Sequence, residues 1–388
     1  MIITSLLDTD LYKLTMQHFA FNNYPNTIVE YTFKNRTEDV DLRPFKAEII
    51  DEVMQLERLQ FAEEEVAYLK NLGFFNDAFL DFLKHFQLNP SRHVEIYDGS
   101  NNLEIKITGT WLDTILFEVP VLAIVNEVYF RNESTLNPEE ATAVLKNSLK
   151  NIEKSPELKF AEFGTRRRYS KVWQKKVLEN IQVSQFCQSN NLVGTSNVHY
   201  AKEFNIKPIG TMAHEFIEFF QGIVALKESQ KTALDLWIKQ YRGSLGIALS
   251  DTLGTDAFLR DFDLYFAKLY DGLRQDSGDP FEWGEKVIKH YKNLGIDPKS
   301  KTLVFSDGLT LNKAAELDLY FKDKADVSFG IGTHLTNNIP GYKALNIVMK
   351  MTKSNGQPVA KISDSPGKGM CKNETYLAWL KEVFEIEA

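Results

Sequence analysis

Cysteine is almost absent from this 388-residue chain, which has only Cys187 and Cys371. Two are too few for a disulfide framework and these lie too far apart for a Cys-x-x-Cys motif, so a reducing, cytoplasmic setting is expected. Long apolar runs are missing as well. The longest, Val119 to Val125, has Pro120 inside it and falls far short of the ~18 residues that suggest a membrane span. The opening Met1-Ile2-Ile3-Thr4-Ser5-Leu6-Leu7-Asp8 has no basic head and soon meets an acid, so no signal peptide is expected. Basic charge is short too: 45 Lys and Arg stand against 53 Asp and Glu, a net charge of −8. A general nucleic-acid binder needs a basic field to displace counterions from phosphates, and that class is disfavoured. An anionic substrate must then be held by local groups.

Several nucleotide and metal signatures are also lacking. His214-Glu215-Phe216-Ile217-Glu218 has no second histidine for a zinc-protease helix. Gly367-Lys368 is followed by Gly369, so no phosphate loop of the Gly-x-x-x-x-Gly-Lys-Ser/Thr type exists. Gly330-Ile331-Gly332 continues as Thr333-His334-Leu335, which is not a dinucleotide fingerprint. Any ATP must be bound in some other way.

What remains is an ordinary globular composition, 43% hydrophobic and 25% charged. The length exceeds the ~250–300 residues at which one core stops growing, which predicts two domains. Asp8 or Thr9 is placed to cap a helix through Leu11, Leu14 and Phe19. Alternation of Val29, Tyr31 and Phe33, and again of Leu103, Ile105 and Ile107, predicts two half-exposed strands. The first ~120 residues read as α+β.

From about residue 125 a strand–loop–helix rhythm takes over. Its loops are Phe163-Gly164-Thr165-Arg166, Val193-Gly194-Thr195-Ser196, Ile209-Gly210-Thr211-Met212, Leu249-Ser250-Asp251-Thr252, Arg274-Gln275-Asp276-Ser277-Gly278, Phe305-Ser306-Asp307-Gly308 and Phe329-Gly330-Ile331-Gly332-Thr333. Seven such loops predict an α/β fold, an irregular TIM-like β/α barrel over 126–342, with its site at the C-terminal ends of the strands. An α+β domain over 1–125 precedes it. A hairpin within Met349 to Asp364, turning at Asn355-Gly356, is expected to carry 343–388 back to complete that domain.

The site candidates compete with plainer roles. The Ser306-Asp307-Gly308 and Gly330-Ile331-Gly332-Thr333 turns suit a sugar phosphate, because glycine admits an anion close to the backbone, but glycine also closes ordinary turns. Asp276-Ser277-Gly278-Asp279-Pro280 offers carboxylates and a hydroxyl for Mg²⁺ or ribose hydroxyls, or simply a capped turn. Arg166-Arg167-Arg168 is a carboxylate or pyrophosphate clamp or a solvated face, with at least one arginine expected to point outward. His214 lies just past a strand end, where a carboxylate such as Asp251 would fix its tautomer and leave one ring nitrogen nucleophilic.

Six ordered motifs then carry a resemblance over nearly the whole chain. They are Asp8-Thr9-Asp10-Leu11-Tyr12-Lys13-Leu14-Thr15-Met16, Glu162-Phe163-Gly164-Thr165-Arg166-Arg167-Arg168, Gly194-Thr195-Ser196-Asn197, Gly210-Thr211-Met212-Ala213-His214-Glu215, Asp256-Ala257-Phe258-Leu259-Arg260-Asp261-Phe262 and Arg274-Gln275-Asp276-Ser277-Gly278-Asp279-Pro280. With them the chain resembles bacterial nicotinate phosphoribosyltransferases and, more distantly, nicotinamide phosphoribosyltransferases. The resemblance implies transfer of a phosphoribosyl group from phosphoribosyl pyrophosphate to nicotinate, in NAD biosynthesis. It also implies ligase-type ATP hydrolysis through phosphorylated His214, with Asp251 orienting the ring and Mg²⁺ present.

By the same matching, Phe163 and Tyr12 sandwich the pyridine, Tyr12 arriving from the other subunit of a homodimer. Arg166 and Arg274 lie near the base and the pyrophosphate. Thr195, Ser196, Asp276, Ser277 and Gly278 line the substrate, with Asp276 on the ribose hydroxyls, and Gly308, Gly330, Gly332 and Thr333 cradle the 5-phosphate. Nicotinamide-using relatives carry an aspartate where Ser196 stands, so a hydroxyl there favours the acid. If residues 166 and 167 are extended they face opposite sides, and Arg167 cannot share the role of Arg166. Two alternatives stay open: a quinolinate phosphoribosyltransferase, needing no ATP and no phosphohistidine, and a catalytically dead sensor of phosphoribosyl pyrophosphate or a pyridine nucleotide.

Overall fold

A computed structural model of the chain describes residues 1–187, 190–365 and 370–386. The alternating segments are strands: Val29, Tyr31 and Phe33 are buried along β1 (Ile28–Asn35), and Leu103, Ile105 and Ile107 along β3 (Leu103–Thr110), with β2 (Val94–Asp98) between them in sequence. Six short strands follow: β4 (Phe160–Glu162), β5 (Leu192–Thr195), β6 (Ile247–Leu249), β7 (Gly272–Gln275), β8 (Thr302–Phe305) and β9 (Asp326–Ile331). The last pair, β10 (Ile347–Ser354) and β11 (Gln357–Pro358), turns at Asn355 and Gly356. Both turn residues have positive φ, 50° and 76°, as a tight hairpin of the primed type requires.

Two sheets result. One is antiparallel in the order β11-β10-β1-β3-β2, so a strand from the far end of the chain lies against β1. The other is parallel in the order β5-β4-β9-β8-β7-β6. Its edge strands β5 and β6 are joined through residues 207–211. Thr195 forms a bridge with Pro208, Ile209 N donates to Thr195 O at 2.8 Å, and Thr211 Oγ1 donates to Ile247 O at 2.7 Å. The loop Ile209-Gly210-Thr211-Met212 therefore follows a single bridge and not a laddered strand. Proline supplies the reason, since Pro208 has no N–H to donate to a ladder. This gap makes the barrel irregular.

The first helix, Leu11–Asn23, is buried from Leu11 through Ala20. A helix buried all round lies inside the fold, and here even Lys13 is enclosed, neutralised by salt bridges to Glu118 and Glu215. Tyr31 Oη and Trp111 Nε1 also donate to Glu215, at 3.1 and 3.2 Å. The helix is not capped by Asp8 or Thr9. Asp10 holds the cap position without a side-chain cap bond, its carboxylate accepting from Ser196, while Asp8 is committed to Arg168. One hydrophobic cluster runs from Leu7 and Phe19 through Ile105 to Leu303 and Phe329, so both sheets share a core. The helix Glu374–Val383 packs elsewhere, in a smaller cluster with Leu226, Leu253 and Ala257.

Candidate functional site

His214 begins the helix His214–Gln221, directly after the irregular segment that joins the barrel edges. Asp251 stands two residues beyond β6, and its Oδ1 lies 3.0 Å from His214 Nε2. Asp251 Oδ2 accepts from Lys361 Nζ at 2.7 Å and from the Ser277 hydroxyl. Lys361 Nζ is also 2.7 Å from His214 Nε2. Among the described residues the ring's Nδ1 takes no hydrogen bond, which leaves it the available nitrogen. Burial first, and then Lys361, pull the imidazole down to about 4 against the opposing pull of Asp251, so the ring is neutral at pH 7. Burial would raise Asp251, but the hydrogen bond from His214 and the charge and hydrogen bond of Lys361 outweigh it and hold the carboxylate well below its usual range.

The three arginines after β4 do not lie on a strand. Thr165–Arg167 is a single 3-10 turn, so the two-sided alternation of a strand does not apply to them. Arg166 turns into the site, with Nη1 3.3 Å from Glu118 Oε1, Nε 3.5 Å from Asp10 Oδ2, and its guanidinium 5.8 Å from the Tyr12 ring centre. Arg167 reaches Asn346 at 3.4 Å; burial and the adjacent Arg166 pull it down to about 10. Arg168 is fully buried, bidentate to Asp8 at 2.7 and 2.9 Å and bonded to Gln174. It is a structural tie between the N-terminal segment and the barrel, and does not point outward.

Two residues at the end of β5, Thr195 and the following Ser196, are already engaged. Thr195 Oγ1 donates to Glu162 at 2.6 Å, and Ser196 Oγ donates to Asp10 Oδ1 at 2.7 Å. Ser196 therefore presents its hydroxyl to a buried carboxylate that also faces Arg166.

At the ends of β7 and β8, Arg274 Nε donates to Ser306 Oγ at 2.9 Å and Nη2 to Asp276 Oδ1 at 3.2 Å. Asp276 Oδ2 is 3.7 Å from His214 Nε2. Burial raises the Asp276 carboxyl, yet Arg274, chiefly, outweighs it and keeps it ionised. Ser277 and Gly278 face inward, where Ser277 bonds Asp251 and Gly278 N donates to Ser365 Oγ at 3.0 Å. The glycine turns adjoin this group. The Arg274 guanidinium lies 5.9 Å from the Phe163 ring centre, and Gly330 lies beneath that ring, where an added Cβ would overlap it and come within 3.2 Å of Ser306 Cβ. Gly332 packs on the Phe163 carbonyl and precedes the short helix Thr333–Thr336, while an added Cβ at Gly308, with φ 60°, would meet open space.

One pocket is lined by Tyr12, Arg166, His214, Arg274 and Asp276, with Lys350 of β10 and Glu218 completing its wall; Phe163, Ser196 and the glycine turns lie outside that lining. Tyr12 lines this pocket within the single chain, while the resemblance has a tyrosine arriving from a partner subunit. Glu218 sits one helical turn after His214; burial pushes its carboxyl up to about 7 against the pull of Lys350. Asp10, Lys350, Lys361 and Glu218 were not singled out from the sequence. The only mark Lys361 leaves there is a lone charge inside the apolar run Pro358-Val359-Ala360-Lys361-Ile362. Among the described residues no group of three or more His, Cys, Asp or Glu is arranged to hold a metal ion, and no helix is long and apolar enough to cross a membrane.

Comparison with known proteins agrees along the whole chain. Residues 7–126 match the nicotinate phosphoribosyltransferase N-terminal domain, and residues 158–388 match the nicotinate phosphoribosyltransferase family. A nicotinate phosphoribosyltransferase of Burkholderia mallei is 51% identical, covering 100% of this chain and 98% of its own. One from Verminephrobacter eiseniae is 49% identical over 100% of both. The crystal structure of nicotinate phosphoribosyltransferase from Vibrio cholerae superposes with a TM-score of 0.96 at 41% identity, covering 100% of this chain and 95% of that one. That of the Porphyromonas gingivalis protein gives 0.94 at 33%, covering 99% and 100%. On motifs, fold and likeness together, this chain belongs to the nicotinate phosphoribosyltransferase family.

Proposed function

We propose that this protein transfers the phosphoribosyl group of phosphoribosyl pyrophosphate to nicotinate, giving nicotinate mononucleotide and pyrophosphate for NAD biosynthesis, and that it couples this to ATP through phosphorylated His214. The observation that carries the ATP half is the His214 ring with Nε2 toward Asp251 and, among the described residues, no partner on Nδ1, on the wall of a pocket that also holds Arg166 and Arg274. With its proton on Nε2, the ring donates to Asp251 and the Nδ1 lone pair attacks the γ-phosphorus of ATP. The N–P bond forms as the bond to ADP oxygen breaks, and Asp251 offsets the positive charge gained by the ring.

In the sugar transfer, the C1–pyrophosphate bond breaks as the pyridine nitrogen supplies its electron pair to an oxocarbenium-like carbon. On this reading Arg274 meets the departing pyrophosphate and Asp276 the ribose hydroxyls, while Gly308, Gly330, Gly332 and Thr333 offer backbone N–H groups to the 5-phosphate. Tyr12 and Phe163 border the pyridine, and Arg166 meets its carboxylate. Asp276 is already occupied by Arg274 and Ser306, and no ligand cage stands nearby among the described residues, so Mg²⁺ suits this site as a counter-ion carried by the phosphates. When bound there, it would offset the charge of the leaving pyrophosphate. A homodimer is proposed on the resemblance alone, with Tyr12 contributed to the neighbouring subunit's base slot.

The deciding assay measures nicotinate-dependent pyrophosphate release with and without ATP. A sensor would bind without turnover, and a quinolinate enzyme would ignore nicotinate. Two substitutions probe the base slot. Ser196→Asp sets a second carboxylate against Asp10 and in reach of Arg166, and should raise KM for nicotinate by about tenfold or more; unchanged kinetics with both nicotinate and nicotinamide would remove Ser196 from substrate choice. Gly330→Ala forces the Phe163 ring aside and should cost roughly ten- to a hundredfold in kcat/KM for nicotinate. A crystal structure of that variant with the ring unmoved would refute this account.

A further inference from the structure

Lys361 belongs to none of the six motifs, yet it touches both members of the His214–Asp251 pair and is only 8% exposed. Its place is built from both sides. Ala360 N donates to Gln221 Oε1 at 2.8 Å, on the helix that bears His214, and Ile362 N donates to Thr252 O at 2.7 Å, in the loop that bears Asp251.

An ammonium has hydrogens to give and no lone pair, so its contact with Nε2 requires a lone pair on that nitrogen. Asp251 Oδ1, 3.0 Å from the same nitrogen, requires a hydrogen there. The two neighbours ask for opposite states of one atom. A neutral ring accommodates both in turn, since Lys361 keeps Asp251 Oδ2 at 2.7 Å whenever Nε2 donates to Oδ1. A doubly protonated ring can only expel Lys361.

We propose that Lys361 is a positioning residue of the phosphoryl-accepting site, which keeps a lone pair on His214 at neutral pH by opposing its protonation. This rests on the reading that His214 receives phosphate. Among the described residues the other charges around the ring are three acids and two cations: Asp276 faces Nε2 with Arg274 bound to it, Lys350 approaches from β10, and Glu215 and Glu218 extend from the ring's own helix. Lys361 is the cation in direct contact with the ring, so its removal leaves Asp251 free to recruit a proton. A protonated ring has no electron pair for phosphorus.

The test compares wild type, Lys361→Met and Lys361→Arg in single-turnover labelling with γ-labelled ATP from about pH 5.5 to 9, alongside ¹⁵N NMR of histidine-labelled protein. His214→Gln assigns the ring signals. The methionine variant should label within about threefold of wild type near pH 9 and at least about tenfold more slowly near pH 6, because each pH unit below a raised pKa removes tenfold of the free base. Its ring should protonate at higher pH in the spectra, and arginine should restore both profiles. A loss of equal size at every pH, or an unshifted ring protonation, overturns the proposal. Should wild type itself take no label, the phosphohistidine reading fails, while the NMR comparison still decides what Lys361 does.

Discussion

His214→Ala is expected to abolish acid-labile, base-stable labelling of the protein by γ-labelled ATP, by a factor of ~10³ or more. Two carboxylates, Asp251 and Asp276, lie beside the ring. An acyl phosphate formed on either would be base-labile, so the stability of the label separates them from the imidazole. The same variant should lose all stimulation of nicotinate turnover by ATP, with the ATP-free rate retained. Label of wild-type amount and stability in the variant would exclude His214. Asp251→Asn keeps a hydrogen-bond acceptor but loses the charge that offsets the phosphorylated ring, and should slow labelling by about a hundredfold or more. The sign of the pH dependence follows from the ring being held down to about 4: labelling is constant through neutrality and falls only as pH approaches that value.

Arg168→Met is expected to destabilise the fold by about 3–5 kcal/mol, because it strands the Asp8 carboxylate in the interior. Both partners are fully buried, and the pair is joined by two short bonds, by Asn197 at 2.8 Å and by Lys171 at 3.4 Å. Burial raises the Asp8 carboxyl, but Arg168, chiefly, outweighs it and holds the group below its unfolded value of 3.8. The stabilising contribution is therefore complete above that value and is lost as pH falls beneath it. Urea unfolding at neutral pH checks the magnitude, and Asp8→Asn with Arg168→Met should recover part of the loss. A single variant within about 1 kcal/mol of wild type would show that the pair is not a structural tie.

Strand ends were easy to read because each couples a short apolar run to a Gly, Ser or Asp cluster, and six of the seven are laddered strands. The exception turned on Pro208, one residue before the stretch that drew attention. The pairing of His214 with Asp251 was anticipated from two adjacent loops, but its third member was not. Lys361 arrives from a hairpin that had been assigned to the other sheet, and sequence distance hides such a return. In the arginine triplet the strand premise fails for a local reason: a 3-10 turn sends Arg166 and Arg168 to different partners, Glu118 and Asp8. Ser196 was expected to face substrate, yet its nearest acceptor is Asp10, a residue made relevant only by the burial of the first helix.

The pairing of β1 with β10 bears on how the protein is made. Asn35 meets Ile347, and until the ribosome has delivered that strand β1 offers one side of its backbone to any passing extended segment. Between residue 126 and residue 354 lie roughly 10–50 s of synthesis at ordinary elongation rates. Nascent chains stalled in that interval should bind chaperones or self-associate, and supplying residues 343–365 in trans should quiet them.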